Sequence, residues 1–183
     1  MVHRAPPLLL AFSVLLGGAP AFATDAALTP DPGLAVEEAL KPRKVTVVRV
    51  DKSERRMWLI AGNSLVKTYQ ISLGGNPTGH KVAEGDKRTP EGRYVIDWEN
   101  PTSVAYRSMH ISYPNKADRE RARQAGVSPG GNIMIHGQYN GYGWASWLMQ
   151  RFDWTSGCIA VTNAEMDEII SLVAPGTPIE ITP

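Results

Sequence analysis

From Lys44 onward the chain is cut into short runs rich in Val, Ile, Thr, Tyr and Trp, each bounded by turn residues, and this pattern confines it to a mainly β domain. The runs Lys44 to Val50, Arg56 to Ile60 and Ser64 to Leu73 read as strands joined by hairpins at Asp51-Lys52-Ser53 and Ala61-Gly62-Asn63. A loop thick with Gly, Pro and charge, Gly74 to Gly92, precedes a strand at Arg93 to Trp98. Ala117 to Gln124 reads as a short exposed helix ended by Gly126, and Pro129-Gly130-Gly131 turns the chain into an apolar strand, Asn132 to Ile135, with His136 at its end. Trp144, Trp147, Leu148 and Phe152 fall at helical spacing, which predicts a helix over 142–152 packing aromatic side chains on the core or under a site. Thr162 and Glu165 are spaced as a capping box for a helix from Asn163 to Val173, with Met166, Ile169, Ile170 and Val173 on one face. Pro175-Gly176 fits a type II turn into a last strand, Pro178 to Thr182. The expected class is mainly β with flanking helices.

The start of the chain reads differently. His3 and Arg4, an apolar run from Leu8 to Leu16 and Ala21-Phe22-Ala23 as an A-x-A site predict a signal peptide over 1–23. The run is shorter than the roughly 20 apolar residues a membrane span needs, and no later run is longer. The mature chain is therefore expected to carry no membrane span and to be exported, to the periplasm or cell envelope. Residues 24–43, with Pro30, Pro32, Gly33 and Pro42, read as a linker or lead-in segment before the domain at 44–182. Loss of residues 1–23 removes Arg4 alone, leaving 18 Lys and Arg against 18 Asp and Glu. That balance argues against a nucleic-acid partner, whose binding rests on phosphate neutralisation.

One cysteine, Cys158, cannot form an internal disulfide, and an unpaired thiol in an oxidising compartment asks for a reason. Its neighbours offer one. The strand Ile133-Met134-Ile135 ends in His136-Gly137, and 22 residues after His136 stands Cys158 in Asp153-Trp154-Thr155-Ser156-Gly157-Cys158. An imidazole beside a glycine is suited to a general base, with Gly137 leaving a substrate backbone room to approach. Gly157 leaves space beside the sulfur, and the N–H groups of Gly157 and Cys158 are candidates for an oxyanion hole. A free thiol with a pKa of about 8.5 is a few per cent thiolate at neutral pH, and an adjacent imidazole raises that fraction and later protonates a leaving amine.

These residues resemble the L,D-transpeptidase catalytic domain (YkuD) family, whose signature is a His-Gly followed by a Ser-x-Gly-Cys-type segment. Leu73-Gly74, Pro77-Thr78-Gly79 and Glu84-Gly85-Asp86-Lys87-Arg88-Thr89-Pro90-Glu91-Gly92 resemble the family's segment before the catalytic half. Thr155 to Asn163, Ser112-Tyr113-Pro114-Asn115 and the Pro-Gly-Gly turn are similar to a YafK-type branch. Two departures stand out: Ala160 where the family usually has Arg, and Ser156 where it often has His. Arg88 and Arg151 are candidates to take over the missing arginine's role, and Ser156 to touch substrate. The resemblance implies a β-sandwich catalytic fold, a thioacyl-enzyme formed on Cys158 from a peptidoglycan tetrapeptide stem, no cofactor, and transfer to an amine. It equally implies a hydrolase that detaches a peptidoglycan-linked lipoprotein or stem peptide. The imidazole's orienting partner is expected to be a backbone carbonyl, with Gly137 and Ser156 the nearest candidates.

Two other classes compete. His80, His110, His136 and Cys158 are zinc-capable, yet none sits at a short ligand spacing, so no metal site is expected. A non-catalytic peptidoglycan-binding module is the other alternative, kept open by Ala160.

Overall fold

The computed structural model describes Met1 and residues 44–183, so the expected signal peptide (1–23) and lead-in segment (24–43) lie outside the described residues. The turns seen in the sequence cut the chain into strands β1 (Val47–Asp51), β2 (Arg56–Ala61), β3 (Ser64–Gln70), β4 (Gly92–Asn100) and β5 (Ser108–Ile111). Helix α1 (Lys116–Ala125) follows, then β6 (Met134–His136), a short helix α2 (Ser146–Met149), β7 (Ile159–Ala160), helix α3 (Asn163–Leu172) and β8 (Thr177–Thr182).

The strands pair in the order β3-β2-β1-β8-β4-β5-β6-β7. Only β1 with β8 and β6 with β7 run parallel; the other pairs are antiparallel. The sheet curls until its two ends are tied. Past β3, Ser72 exchanges both backbone hydrogen bonds with Ala160 (2.9 and 2.8 Å), and Thr155 N–H donates to the Leu73 carbonyl at 3.1 Å. The sandwich-like layering expected from the resemblance is thus reached by one sheet folded over on itself. Closure also satisfies backbone groups that open edges would leave unpaired.

Alternation sets the inner face. Val48 and Val50 of β1, Met57 and Leu59 of β2, Ile96 of β4, Ile111 of β5, Ile135 of β6 and Ile179 of β8 are buried, while their strand neighbours point outward. Each such side chain contributes roughly 1.5–3 kcal/mol by leaving water. Helix α3 closes one side with Met166 and Ile169, and its Thr162–Glu165 capping box is formed as the spacing predicts. Helix α1 begins at a second box, Asn115 with Asp118, and ends at Gly126 in the left-handed conformation. The Pro175-Gly176 turn forms too, with Gly176 at φ 95° and Thr177 N–H donating to the Ala174 carbonyl.

The long helix over 142–152 does not form. Its place holds a 3₁₀ turn, Gly143–Ala145, and the single turn of α2. Gly141, at φ 88°, stops a helix from starting earlier, and a segment this short has no continuous apolar face. Trp144, Trp147, Leu148 and Phe152 consequently stand in solvent, with Trp144 79% exposed, instead of packing on the core.

Candidate active site

The parallel pairing of β6 with β7 brings the two signature residues together. Ile135 lies opposite Ile159, so Cys158 lies opposite Met134 and His136 stands two residues further along the neighbouring strand. At about 3.3 Å per residue and 4.8 Å between strands, their Cα atoms are about 8 Å apart on the diagonal. Strand parity puts both side chains on one face, since Ile135 and Ile159 fill the core on the other. The backbone N–H of Met134 points at Cys158 Sγ at 3.4 Å, and Sγ lies 3.6 Å from the Asn132 carbonyl.

His136 Nδ1 is 2.6 Å from the carbonyl oxygen of Gly137. A carbonyl only accepts, so Nδ1 carries the proton and Nε2 keeps its lone pair. Of the two orienting partners expected from the sequence, Gly137 makes this contact through its backbone; Ser156 is exposed and has no side-chain hydrogen bond among the described residues. Trp154 packs edge-on to the imidazole at 5.6 Å, and Tyr139 lies 6.5 Å away and 5.1 Å from Trp154. Burial pushes the imidazole pKa down, against a raising contribution from the Gly137 contact. Burial pushes the Cys158 thiol up, opposed by the Met134 N–H and the charge of Lys81. Both shifts favour a neutral thiol beside a neutral imidazole, which lowers the resting thiolate fraction that the sequence alone suggests.

The two glycines serve packing. A Cβ on Gly157 would sit 2.6 Å from the Arg88 carbonyl oxygen, and its φ of 127° excludes ordinary residues. A Cβ on Gly137 would meet Asn163 Oδ1 at 2.6 Å and Tyr106 at 3.0 Å, so the room beside the imidazole is filled by protein and not left for substrate. The Gly157 N–H donates to Thr155 Oγ1 at 3.1 Å, and that hydroxyl donates to the Cys158 carbonyl at 2.8 Å, locking the turn that presents the sulfur. The Gly137 N–H is likewise taken, by the Arg107 carbonyl at 3.2 Å. Of these oxyanion candidates, the Cys158 N–H is the one with no protein acceptor among the described residues.

Neither arginine named from the sequence is held over the sulfur by a contact. The Arg88 backbone touches the Cys158 turn, but its side chain runs to Gly79 and the His80 carbonyl, with a buried Nε that has no acceptor among the described residues. Arg151 is exposed and stacks on Trp147, its guanidinium carbon 5.8 Å from the ring centroid. Ala160 is fully buried opposite His136, and Gln150 closes over it, donating to the Ala160 carbonyl at 3.3 Å and accepting from Ser72 Oγ at 2.9 Å.

Several residues of the site carry no sequence signal. Lys81 is buried, paired with Asp86 at 2.8 Å. Asp86 also accepts the N–H groups of Val82, Ala83 and Arg88. Burial raises the Asp86 pKa, but these bonds outweigh it and hold it at about 2. Asp153 receives a two-pronged contact from Arg55, at 2.8 to 3.2 Å, and the Leu73 N–H, fixing the loop segment that leads to Cys158. A lysine in a charged loop and an aspartate before a tryptophan look like surface residues until the fold brings their partners. No group of three His, Cys, Asp or Glu side chains placed to hold a metal occurs among the described residues.

The L,D-transpeptidase catalytic domain (YkuD) family model matches residues 45–181. Among curated proteins, the chain is 31% identical over 112 residues to "Putative L,D-transpeptidase YafK" of Escherichia coli K12, covering 60% of this chain and 37% of the relative. The chain thus spans just over a third of that relative's length. Among solved structures, it is similar to the helical cell shape determining protein Pgp2 of Campylobacter jejuni, as its K307A mutant: TM-score 0.56, 26% identity, over 75% of this chain and 46% of Pgp2. An L,D-transpeptidase of Xylanimonas cellulosilytica shares the fold at TM-score 0.50 and 15% identity, over 84% of this chain and 70% of that one. With the family match spanning the whole sheet and both signature residues, the chain belongs to the L,D-transpeptidase catalytic domain family.

Proposed function

We propose that the protein is a peptidoglycan-modifying cysteine acyl transferase acting in the cell envelope on tetrapeptide stems. The observation that carries this reading is the shared face of Cys158 and His136, with Nδ1 committed to the Gly137 carbonyl and Nε2 free to take a proton. On binding of a stem, Nε2 accepts the thiol proton as sulfur attacks the carbonyl carbon before the terminal D-alanine. The resulting oxyanion faces the Cys158 N–H. Collapse expels D-alanine, whose nitrogen takes the proton from the imidazolium, and leaves a thioester. His136 then removes a proton from an incoming amine, and as the new amide forms the sulfur departs and takes that proton back from the imidazolium, restoring the neutral thiol and imidazole. Starting from a neutral pair suits this order, because the proton moves only once a carbonyl is in place.

Water in place of the amine turns the same intermediate into hydrolysis, releasing a stem peptide or a peptidoglycan-linked lipoprotein. Export by the expected signal peptide would deliver the chain to the envelope; among the described residues no helix is long and apolar enough to cross a membrane. The likeness to Pgp2, a helical cell shape determining protein, supports a role in cell-wall biogenesis and through it cell shape. The test is incubation of the full chain and a Cys158→Ala control with tetrapeptide muropeptides and lipoprotein-bearing peptidoglycan, read by mass spectrometry. Cys158-dependent 3-3 cross-links mean transfer, and released lipoprotein or stem peptide means hydrolysis. No Cys158-dependent product on either substrate refutes the enzyme reading in favour of a peptidoglycan-binding module.

A further inference from the structure

The segment between the two signature residues is built inside out. Its amides turn inward: Asn140 Nδ2 donates to the Ser103 carbonyl at 3.1 Å, and Gln150 bridges Ser72 Oγ at 2.9 Å and the Ala160 carbonyl at 3.3 Å. The Met149 and Gln150 carbonyls also point at the sheet, accepting from Ser72 Oγ at 3.3 Å and Gln70 Nε2 at 3.4 Å. The apolar side chains of the same segment face the other way. Tyr142, Trp144, Trp147 and Phe152 are 57 to 79% exposed, and Leu148 joins them at 43%. A turn that met only water would show its amides and cover its rings. This one is pinned by its polar groups with its rings outward, which marks a surface that meets an apolar phase.

Charge indicates what that phase is. Residues 139–152 contain no Asp or Glu, and Arg151 is their one charged side chain. Its guanidinium carbon stands 5.8 Å from the Trp147 ring centroid, so the cation is laid among the rings. Arg56 extends the same edge: it is exposed and lies opposite Gln70 in the β2–β3 register, and Gln70 reaches the Gln150 carbonyl. Neither arginine pairs with a carboxylate among the described residues. From Thr24 onward the chain has balanced charge, so this excess is local. Trp and Phe rings beside an arginine whose stem lies along them and whose head reaches phosphate form the composition that settles at the boundary of a bilayer. A protein partner would have to bury Arg151 against a carboxylate of its own, whereas an anionic phospholipid surface offers phosphates wherever the rings enter.

We infer that residues 142–152 form a membrane-surface anchor, with Trp144, Trp147, Leu148 and Phe152 entering the boundary of an anionic bilayer and Arg151 and Arg56 contacting its phosphates. The inference stands apart from the acyl-transfer reading, since it uses neither Cys158 nor His136. Its consequence for the site is positional. Gln150 holds the carbonyl of Ala160, two residues after Cys158, so a docked segment keeps the Cys158 turn near the lipid boundary.

The test is partition onto lipid vesicles, read by sedimentation, of the chain from Thr24, the form export would leave and one that keeps the whole described core. The apolar run Leu8 to Leu16 is left out because it would bind lipid by itself. Vesicles of phosphatidylglycerol and phosphatidylcholine in equal parts are compared with phosphatidylcholine alone. The expected result is binding to the anionic vesicles and about thirtyfold weaker binding to the neutral ones, at about fivefold per arginine. Trp144→Ser and Trp147→Ser should each weaken binding about tenfold, and Arg151→Gln about fivefold on the anionic vesicles alone. All three side chains are exposed, so their replacement leaves the fold intact. No binding to the anionic vesicles, equal binding to both kinds, or binding indifferent to these substitutions overturns the inference. Self-association, or capture by isolated peptidoglycan, that the same substitutions abolish and that occurs in place of vesicle binding also overturns it, assigning the rings to a second copy or to a glycan strand.

Discussion

The hydroxyl of Thr155 holds the turn that presents Cys158, and Thr155→Val removes it at nearly constant volume. The native hydroxyl accepts the Gly157 N–H and donates to the Cys158 carbonyl, and Thr155 is itself buried. Valine leaves that donor and that acceptor unpaired inside the protein. An orphaned buried polar group costs about 1–3 kcal/mol, so the pair costs about 2–4 kcal/mol after partial relaxation of the turn. For a folded domain of this size, 1 kcal/mol shifts Tm by about 3–4 °C, so differential scanning calorimetry should show a loss of about 6–16 °C. Thr155→Ser keeps both hydrogen bonds and gives up one methyl, about 0.8 kcal/mol, and should lose about 3 °C. Release of the turn also frees the sulfur to move, and a displacement on the order of 1 Å lowers kcat/KM on a tetrapeptide stem about a hundredfold in Thr155→Val. Equal Tm values for the Val and Ser variants would refute the reasoning, since they would show that the two hydrogen bonds do not hold the turn.

Gly157→Ala forces a Cβ to 2.6 Å from the Arg88 carbonyl at a φ of 127° and should cost about 2–4 kcal/mol in urea unfolding; a cost below 1 kcal/mol would mean the two backbones do not meet there. Asp153→Ala strands the Arg55 guanidinium and the Leu73 N–H and should cost about 2–3 kcal/mol, of which adding Arg55→Met recovers the guanidinium's share, about 1 kcal/mol, while the Leu73 N–H stays unpaired, which a double-mutant cycle measures. With the thiol pushed up by burial, the alkylation rate of Cys158 by a neutral reagent should keep rising past pH 9; a plateau near pH 7 would reveal a preformed thiolate–imidazolium pair instead. His136 is held below its unfolded value of 6.5, so the unfolded chain binds more protons and the stability linked to this group, full above about pH 6.5, is lost as pH falls. Asp86, at about 2 against 3.8 unfolded, acts in the same direction from about pH 4 downward, and His136→Gln should remove the upper part of the acid-induced loss while leaving the lower part.

Six of the eight strands among the described residues, both longer helices and the Pro175-Gly176 turn were legible in the sequence because each is set by neighbours within a few residues: alternation, a Thr-x-x-Glu box, a glycine after a proline; β5 and β7, four and two residues long, carry too short a pattern to read. Cys158 and His136 were legible because a lone thiol after a glycine and an imidazole at the end of an apolar strand are unusual on chemical grounds alone. The segment 142–152 misled because helical spacing of tryptophans records a period without saying whether a core lies beneath it. The curled sheet had already filled its interior with Ile, Val, Leu and Met, leaving those rings no place inside.

Everything that depends on partners far apart in sequence was decided by the tertiary structure. Register placed Cys158 beside Met134 and on the face of His136, and a one-residue slip would have turned one of the two into the core. Only the folded chain brings Arg88 against Gly157 and Asn163 against Gly137, converting two glycines that looked like openings for substrate into close contacts between backbones and side chains. Arg55 reaches Asp153 across 98 residues, and Lys81 acquires its influence on the thiol, by the same route. The sequence by itself determined which atoms could do chemistry, since reactivity belongs to residue types. The fold decided their distances, burial and protonation, because those arise from long-range pairing that no local pattern encodes.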